Sequence, residues 1–281
     1  MNDAAPPRRI WLCADDYGLS PGVNRGIRDL IERGRLNATS VMVVGPAAGR
    51  DEIKSLQAAA AGSPRCAIGL HATLTAPFRP LTMHFRPADG GMFLTYTKLL
   101  RAGLLHRLDA EIIHAELIVQ LSAFSEMFGR MPDFVDGHQH VQLFPQVRDA
   151  FLTAVKAAAP DAWVRQSGRN QAFARRLRRP KALVLDFLSS QFRRRAALAG
   201  VAFNPGFDGA YDFSKPSDFD NLMREFLDEL PQDGVIMCHP GFVDDTLVSL
   251  DPFTTARERE HAFLAGDDFP RLLAANNATL T

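Results

Sequence analysis

Cysteine is nearly absent. Cys13, Cys66 and Cys238 are the only three in 281 residues, they stand far apart, and none belongs to a CxxC pair. A sparse, odd count excludes a disulfide framework and a thiolate zinc site, and it fits a reducing compartment. Flanked by apolar neighbours, each reads as a small packing residue. Trp and Tyr are no commoner, two and three against 20 Phe. Phe fills cores, whereas Trp and Tyr build the amphipathic platforms of wet interfaces, so a long open polysaccharide groove is disfavoured. Net charge is missing too, with 32 Lys and Arg balancing 32 Asp and Glu. That removes a global affinity for nucleic acid or for an anionic membrane surface. No apolar run comes near the roughly 20 residues that span a bilayer, so no integral membrane association is expected. The N-terminal MNDAAPPRRIW has no hydrophobic stretch of the secretory kind, and the expected address is the cytoplasm.

What the chain does have is an ordinary core composition, 46% hydrophobic, arranged as short apolar runs alternating with helical patterns. Strands are expected at 9–14, 39–45, 66–70, 133–135, 162–165, 201–204 and 234–238, with 278–280 as a candidate eighth. Helices are expected at 21–35, 51–61, 109–128, 144–159, 181–199, 217–230 and 254–264. Ser20 with Pro21 opens the first helix, and Ser217 caps the one that begins there. Seven or eight β-then-α units imply parallel strands joined by helical crossovers, in an open doubly wound sheet or a closed barrel. With no repeat beyond that rhythm and no low-complexity linker, residues 1–281 read as one domain.

Two stretches break the rhythm. Residues 76–107 carry prolines, glycines, Phe78, Phe85, Phe93 and Tyr96 without periodicity and read as an inserted loop or lid. Residues 165–195 hold ten Lys and Arg against Asp186 alone. The plain reading is a solvated helical face, the functional one a patch for an anionic ligand or an acidic partner.

Polar residues interrupt the apolar strands at their carboxyl ends. Asp15 and Asp16 follow strand one directly. In a straight strand they point to opposite faces, but where the chain turns towards Gly18 both can face one cavity; otherwise Asp16 simply caps the next helix. His71 closes strand three, as a ligand or as a satisfied core histidine. Asp136, His138 and His140 follow strand four and share parity, so they lean to one side if the backbone stays extended. His239 ends a buried strand at His-Pro-Gly. Arg165 ends strand five, either as part of a site or as a bridge to the surface. In parallel α/β folds that edge is where ligands bind and reactions occur. One carboxylate with two imidazoles suits a divalent metal with open positions, and a spare carboxylate and a distant histidine supply a base and an acid. That is an inventory for metal-assisted hydrolysis.

The segments ADDYGLSPGVNRGI (14–27), IGLHATLT (68–75), FVDGHQHVQLFPQV (134–147) and CHPGFVDD (238–245) resemble, in order, the YdjC/ChbG-like carbohydrate deacetylases, which include the hopanoid-associated HpnK branch. The resemblance implies a distorted seven- or eight-stranded (β/α) barrel of the glycoside hydrolase/deacetylase type. It implies Asp16, His71 and His138 as ligands of one divalent ion, Asp15 as general base and His239 as the acid that protonates the leaving amine. Arg165 falls where related enzymes hold an arginine against the base. His140, Asp136 and Tyr17 fall to a second shell or to substrate. The family's metal is given as magnesium or zinc, and two His with one Asp suit zinc better.

The implied substrate is an N-acetylated sugar or glycolipid, cleaved to acetate and a free amine: a chitooligosaccharide, a lipid-linked N-acetylhexosamine or another glycoconjugate. The insert 76–107 is expected to shape the acceptor end; the oligomeric state is not legible in the residues, and the resemblance is compatible with a homodimer. Three rivals stay open. A non-haem iron oxygenase shares the two-His-one-carboxylate set but usually sits on antiparallel folds. A metal-dependent phosphoesterase could use the basic segment, although it commonly needs bridging carboxylates for a second metal. A non-catalytic carbohydrate-binding barrel would have had reason to lose the base, a ligand or the acid, and none is lost.

Overall fold

Short apolar runs separated by helices pair in parallel, because each crossover returns the chain to the same edge of the sheet. A computed structural model describes residues 6–62, 66–169, 181–213 and 218–280. Within them seven strands form one parallel sheet: β1 (Trp11–Tyr17), β2 (Ala38–Val41), β3 (Ala67–Ala72), β4 (Phe134–Gly137), β5 (Trp163–Val164), β6 (Phe207–Asp208) and β7 (Val235–Cys238). Their order is β5-β4-β3-β2-β1-β7-β6. The order never reverses, as it would in a doubly wound sheet. The two ends meet through isolated parallel bridges, Val164 with Phe203 and Arg169 with Phe207. The result is a (β/α) barrel, distorted at the β5/β6 seam.

Ten helices follow among the described residues: α1 (Pro21–Glu32), α2 (Arg50–Ala61), α3 (Tyr96–Leu104), α4 (Ala110–Phe128), α5 (Val147–Ala158), α6 (Lys181–Ala199), α7 (Phe219–Leu227), α8 (Asp245–Leu250), α9 (Thr255–Ala265) and α10 (Asp268–Ala275). Ser20 caps α1 by accepting from the Val23 N–H, with Pro21 in the first turn. Ser217 lies outside the described residues; the cap of α7 is Asp218, which accepts from Asp220 and Asn221. The candidate eighth strand is corrected. Ala278–Thr279 pairs with Arg8–Arg9 in a separate two-stranded ribbon and does not enter the barrel. The strand expected at 201–204 shrinks to the single bridge at Phe203.

Two apolar clusters hold the fold. The larger lies between sheet and helices; the smaller joins Cys13, Ala38, Phe134, Phe207, Val235 and Met237, with Trp11, Ala67 and Trp163 against it. Cys13 and Asp15, Phe134 and Asp136, Trp163 and Arg165, and Met237 and His239 are each two apart on their strands. Alternation therefore places the polar group on the same side as the plug, one layer nearer the carboxyl end. Phe134 stacks on Trp163, with ring centroids 4.6 Å apart. Gly69 makes room for it, since a Cβ there would sit 2.5 Å from the Phe134 ring. The floor of the mouth is thus apolar and closely packed, and the chemistry sits on top of it.

The irregular segment 76–107 folds into a small hairpin, Ala88–Asp89 with Met92–Phe93, followed by α3. Phe85 and Phe93 pack edge to face at 5.0 Å. Phe78 reaches the mouth of the barrel, 5.8 Å from the ring of His138.

Candidate active site

Strict alternation along β1 would separate Asp15 from Asp16. A bulge prevents this: Ala14 pairs with Thr39 and Tyr17 with Val41, three steps on one strand against two on the other. Asp16 takes up the extra residue with φ 70°. Both carboxylates then line the same cavity, and the side chain after the bulge is reversed. Tyr17 therefore turns away. Its hydroxyl donates to the Glu52 carbonyl at 2.6 Å and accepts from Arg28 Nη1 at 2.8 Å. The expectation that Tyr17 backs the site or meets substrate is corrected by this register.

His71, the last residue but one of β3, stands directly opposite Asp136 of β4. The neighbours touch: Asp136 Oδ1 lies 2.6 Å from His71 Nδ1, which leaves Nε2 facing Asp16 Oδ1 at 3.3 Å. The common side expected for Asp136, His138 and His140 does not form, because β4 ends at Gly137. The chain then enters a 3-10 turn, His138–Leu143, in which Gln139 and His140 have φ near 55° and 58°. The three side chains diverge. Asp136 stays inside the barrel, 3.0 Å from Arg165 Nη1. His138 Nδ1 sits 3.0 Å from Asp16 Oδ1. His140 meets the Ser167 hydroxyl at 3.1 Å and the edge of Phe207.

Arg165, fully buried, grips both oxygens of Asp15. His239 follows β7 into the cavity wall. The cavity, ≈ 590 Å³, opens between these polar groups and an apolar side made by Phe78, Tyr96, Phe213, Leu250, Pro252 and Phe253. The insert contributes only residues 76–78 and Tyr96 to that wall.

The charges explain one another. Burial alone would raise Asp15 and Asp16, but Arg165 and His71 hold Asp15 well below the usual carboxylate range, and Arg257 and His138 do the same for Asp16. Burial would depress His71, yet Asp136 and Asp15 raise it to about 10. Burial, followed by the charge of Arg165, pushes His140 down to about 3. Burial pushes His239 down to about 4, against the pull of Asp16 and Asp15.

Asp16, His71 and His138 offer one carboxylate oxygen and two ring nitrogens within 4.8 Å of one another. The donor set fits a divalent ion. Asp136 fixes the back nitrogen of His71, the usual outer partner of a ligating histidine. The proton that joins His71 to Asp16 is what such an ion replaces. A second group, Cys13, Asp15 and Asp136, is equally close. It does not fit, because the Arg165 guanidinium already lies among its members and burial pushes the Cys13 thiol up.

Two residues of this site escaped the sequence reading. Arg257, buried on α9, shares its Nη2 between Asp16 Oδ2 at 2.7 Å and Asp251 Oδ2 at 2.6 Å. Glu260, one turn further, accepts the His239 main-chain N–H at 2.5 Å and the Tyr211 hydroxyl at 2.6 Å. In TAREREHAFLA both look like a solvated charged face, and only their burial distinguishes them. The basic segment divides where it is described: Arg165 is committed to Asp15 and Arg169 pairs with Asp186, whereas Arg194 and Arg195 lie exposed on α6, as a solvated helical face has them. Residues 170–180 lie outside the described residues.

Fold and site together define a (β/α) barrel with a candidate metal and acid–base centre at its mouth. The chain belongs to the YdjC-like family, whose profile matches residues 9–275. Relatives include the chitooligosaccharide deacetylase of Escherichia fergusonii, 30% identical, covering 85% of this chain and 84% of that protein. Another is the chitooligosaccharide deacetylase of Yersinia pestis, 32% identical, covering 84% and 83%. A solved structure from Enterococcus faecalis V583 superposes with a TM-score of 0.77 at 19% identity over 98% of this chain and 97% of that one, a likeness of fold. Among the described residues no helix is long and apolar enough to cross a membrane.

Proposed function

We propose that this protein hydrolyses the acetamide of an N-acetylated sugar, releasing acetate and a free amine, with one divalent ion held by Asp16, His71 and His138. The observation that carries the reading is the meeting of that donor set with Asp15 and His239 on one cavity wall. The named activity of the relatives agrees with it. Two imidazoles and a carboxylate suit zinc better than magnesium, which prefers oxygen ligands. When bound, the ion supplies Lewis-acid polarisation and a water of lowered pKa.

The protein's own groups do the rest. Arg165 keeps Asp15 ionised and fixes its plane, so the carboxylate is ready to accept the proton of the attacking water. A carboxylate so stabilised is a weak base, and the transfer therefore accompanies attack instead of preceding it. His239 is neutral at rest. The proton it donates to the leaving nitrogen is one acquired within the cycle, from the water by way of Asp15, whose charge it feels. One water proton thus reaches the leaving nitrogen, and the other stays on the acid product until that ionises to acetate. Phe78, Tyr96, Phe213 and Phe253 give the sugar an apolar wall. The three free cysteines suit a reducing cytoplasm. Among the described residues the Lys or Arg on the wall is Arg257, which is paired with Asp16 and Asp251. Acetate and amine release from N-acetylglucosamine, its dimer and trimer, and a lipid-linked analogue by the zinc-loaded protein tests the reading; no release from any of them overturns it.

A further inference from the structure

A working histidine is usually oriented through its back nitrogen, by a carboxylate, a carbonyl or a water. His71 has Asp136 in that place. His239 has no such side-chain or main-chain partner among the described residues, where its Nδ1 is buried without a hydrogen bond to protein. Something else must hold the ring, and the structure offers a closed circuit around it. Glu260, fully buried on α9, accepts the His239 main-chain N–H through Oε2 and the Tyr211 hydroxyl through Oε1. The Tyr211 ring lies 4.1 Å from that of Phe213, and Phe213 meets the His239 imidazole edge to face at 5.0 Å. The same helix holds the turn beyond, since the Gly241 N–H donates to the Arg257 carbonyl at 3.2 Å. A buried carboxylate is costly unless every lone pair is used, and an apolar residue would fill this space at lower cost in stability.

We propose that Glu260 is the positioning residue of His239, fixing its main chain directly and its ring through Tyr211 and Phe213. The proposal rests on the deacetylase reading for the role of His239, but not for its geometry. Glu260 touches neither substrate nor the candidate ligands. It acts by removing the freedom of a side chain that must reach the leaving nitrogen, and a misplacement of about 1 Å at such a group costs on the order of a hundredfold in rate.

The experiment uses the full chain loaded with zinc, with Glu260→Gln and Tyr211→Phe, read two ways. Kinetics on the N-acetylglucosamine dimer should show kcat lowered about tenfold or more in each variant, with KM within about threefold and zinc content unchanged. In ring-nitrogen-labelled protein the His239 signals, assigned with His239→Asn, should shift while those of His71 and His138 stay in place. Wild-type kcat together with an unmoved His239 signal in both variants overturns the proposal. So does simultaneous loss of zinc and of all histidine signals, which would make Glu260 a support of the fold at large. If the wild type cleaves no acetylated sugar, the deacetylase reading fails and the His239 signals still decide the placement.

Discussion

Arg165 and Asp15 meet face to face, Nη1 to Oδ1 and Nη2 to Oδ2 at 2.6 Å each, and both are buried. The same Nη1 lies 3.0 Å from Asp136, so one guanidinium bridges two carboxylates just above the apolar floor of the barrel. Removing one partner of a buried pair costs about 3–5 kcal/mol, because the other charge is stranded. Arg165→Met should therefore lower the urea midpoint sharply at pH 7. Arg165→Lys should restore only part of it, since an ammonium cannot reproduce the two-armed grip. Equal midpoints for Lys and Arg would refute the bidentate role.

Asp15→Asn should lower kcat by at least about 10², the usual size of general-base catalysis, with bound metal unchanged because Asp15 is not among the donors. Kinetics paired with metal analysis on the same sample decides it. A near-normal turnover number with full metal content removes Asp15 from the role.

An ion that binds only the folded chain stabilises it, by about 2.7 kcal/mol at a hundredfold excess over Kd. Zinc should raise the Tm of the wild type, and Asp16→Asn, His71→Ala and His138→Ala should each reduce or abolish that rise. A zinc-induced shift of full size in all three would dissolve the proposed ligand set.

Glu260 and His239 pull stability in opposite directions with pH. Burial raises Glu260 from 4.5 to about 7, so the unfolded chain releases this proton first. Stability is present in full below pH 4.5 and is lost as pH rises through about 7. Tyr211, the His239 N–H and Arg257 favour its charged form, and Asp15 opposes it. His239 is depressed from 6.5 to about 4; its contribution is present above pH 6.5 and lost as pH falls through about 4. Glu260→Gln keeps the shape without the charge. Relative to wild type it should therefore be more stable at pH 8 than at pH 5, by on the order of 3 kcal/mol. Denaturant midpoints at both values test this, and a pH-independent difference would contradict it.

The parts of the site that could be read from residues alone were those carried by strand ends: Asp15, Asp16, His71 and His239 stop apolar runs where the chain must turn. Parity failed where the backbone left the strand. Tyr17 faces outward because one inserted residue inverts the alternation, and His138 and His140 diverge because Gln139 and His140 adopt left-handed angles. The two-residue ribbon at Ala278–Thr279 was misplaced because pairing partners are a tertiary choice that composition does not encode. Arg257 and Glu260 were invisible for the opposite reason. Charged residues three apart on a helix are ordinary surface, and nothing local says that this face is buried.

The left-handed angle at Asp16 has a consequence for how such a chain ages. Aspartate, asparagine and glycine tolerate that region far better than other residues, so drift at this codon towards either neighbour leaves the backbone at ease while it strips the donor away. A lineage can therefore slide into a well-formed but inert descendant by a single replacement, and intact shape among its cousins is no pledge of retained chemistry.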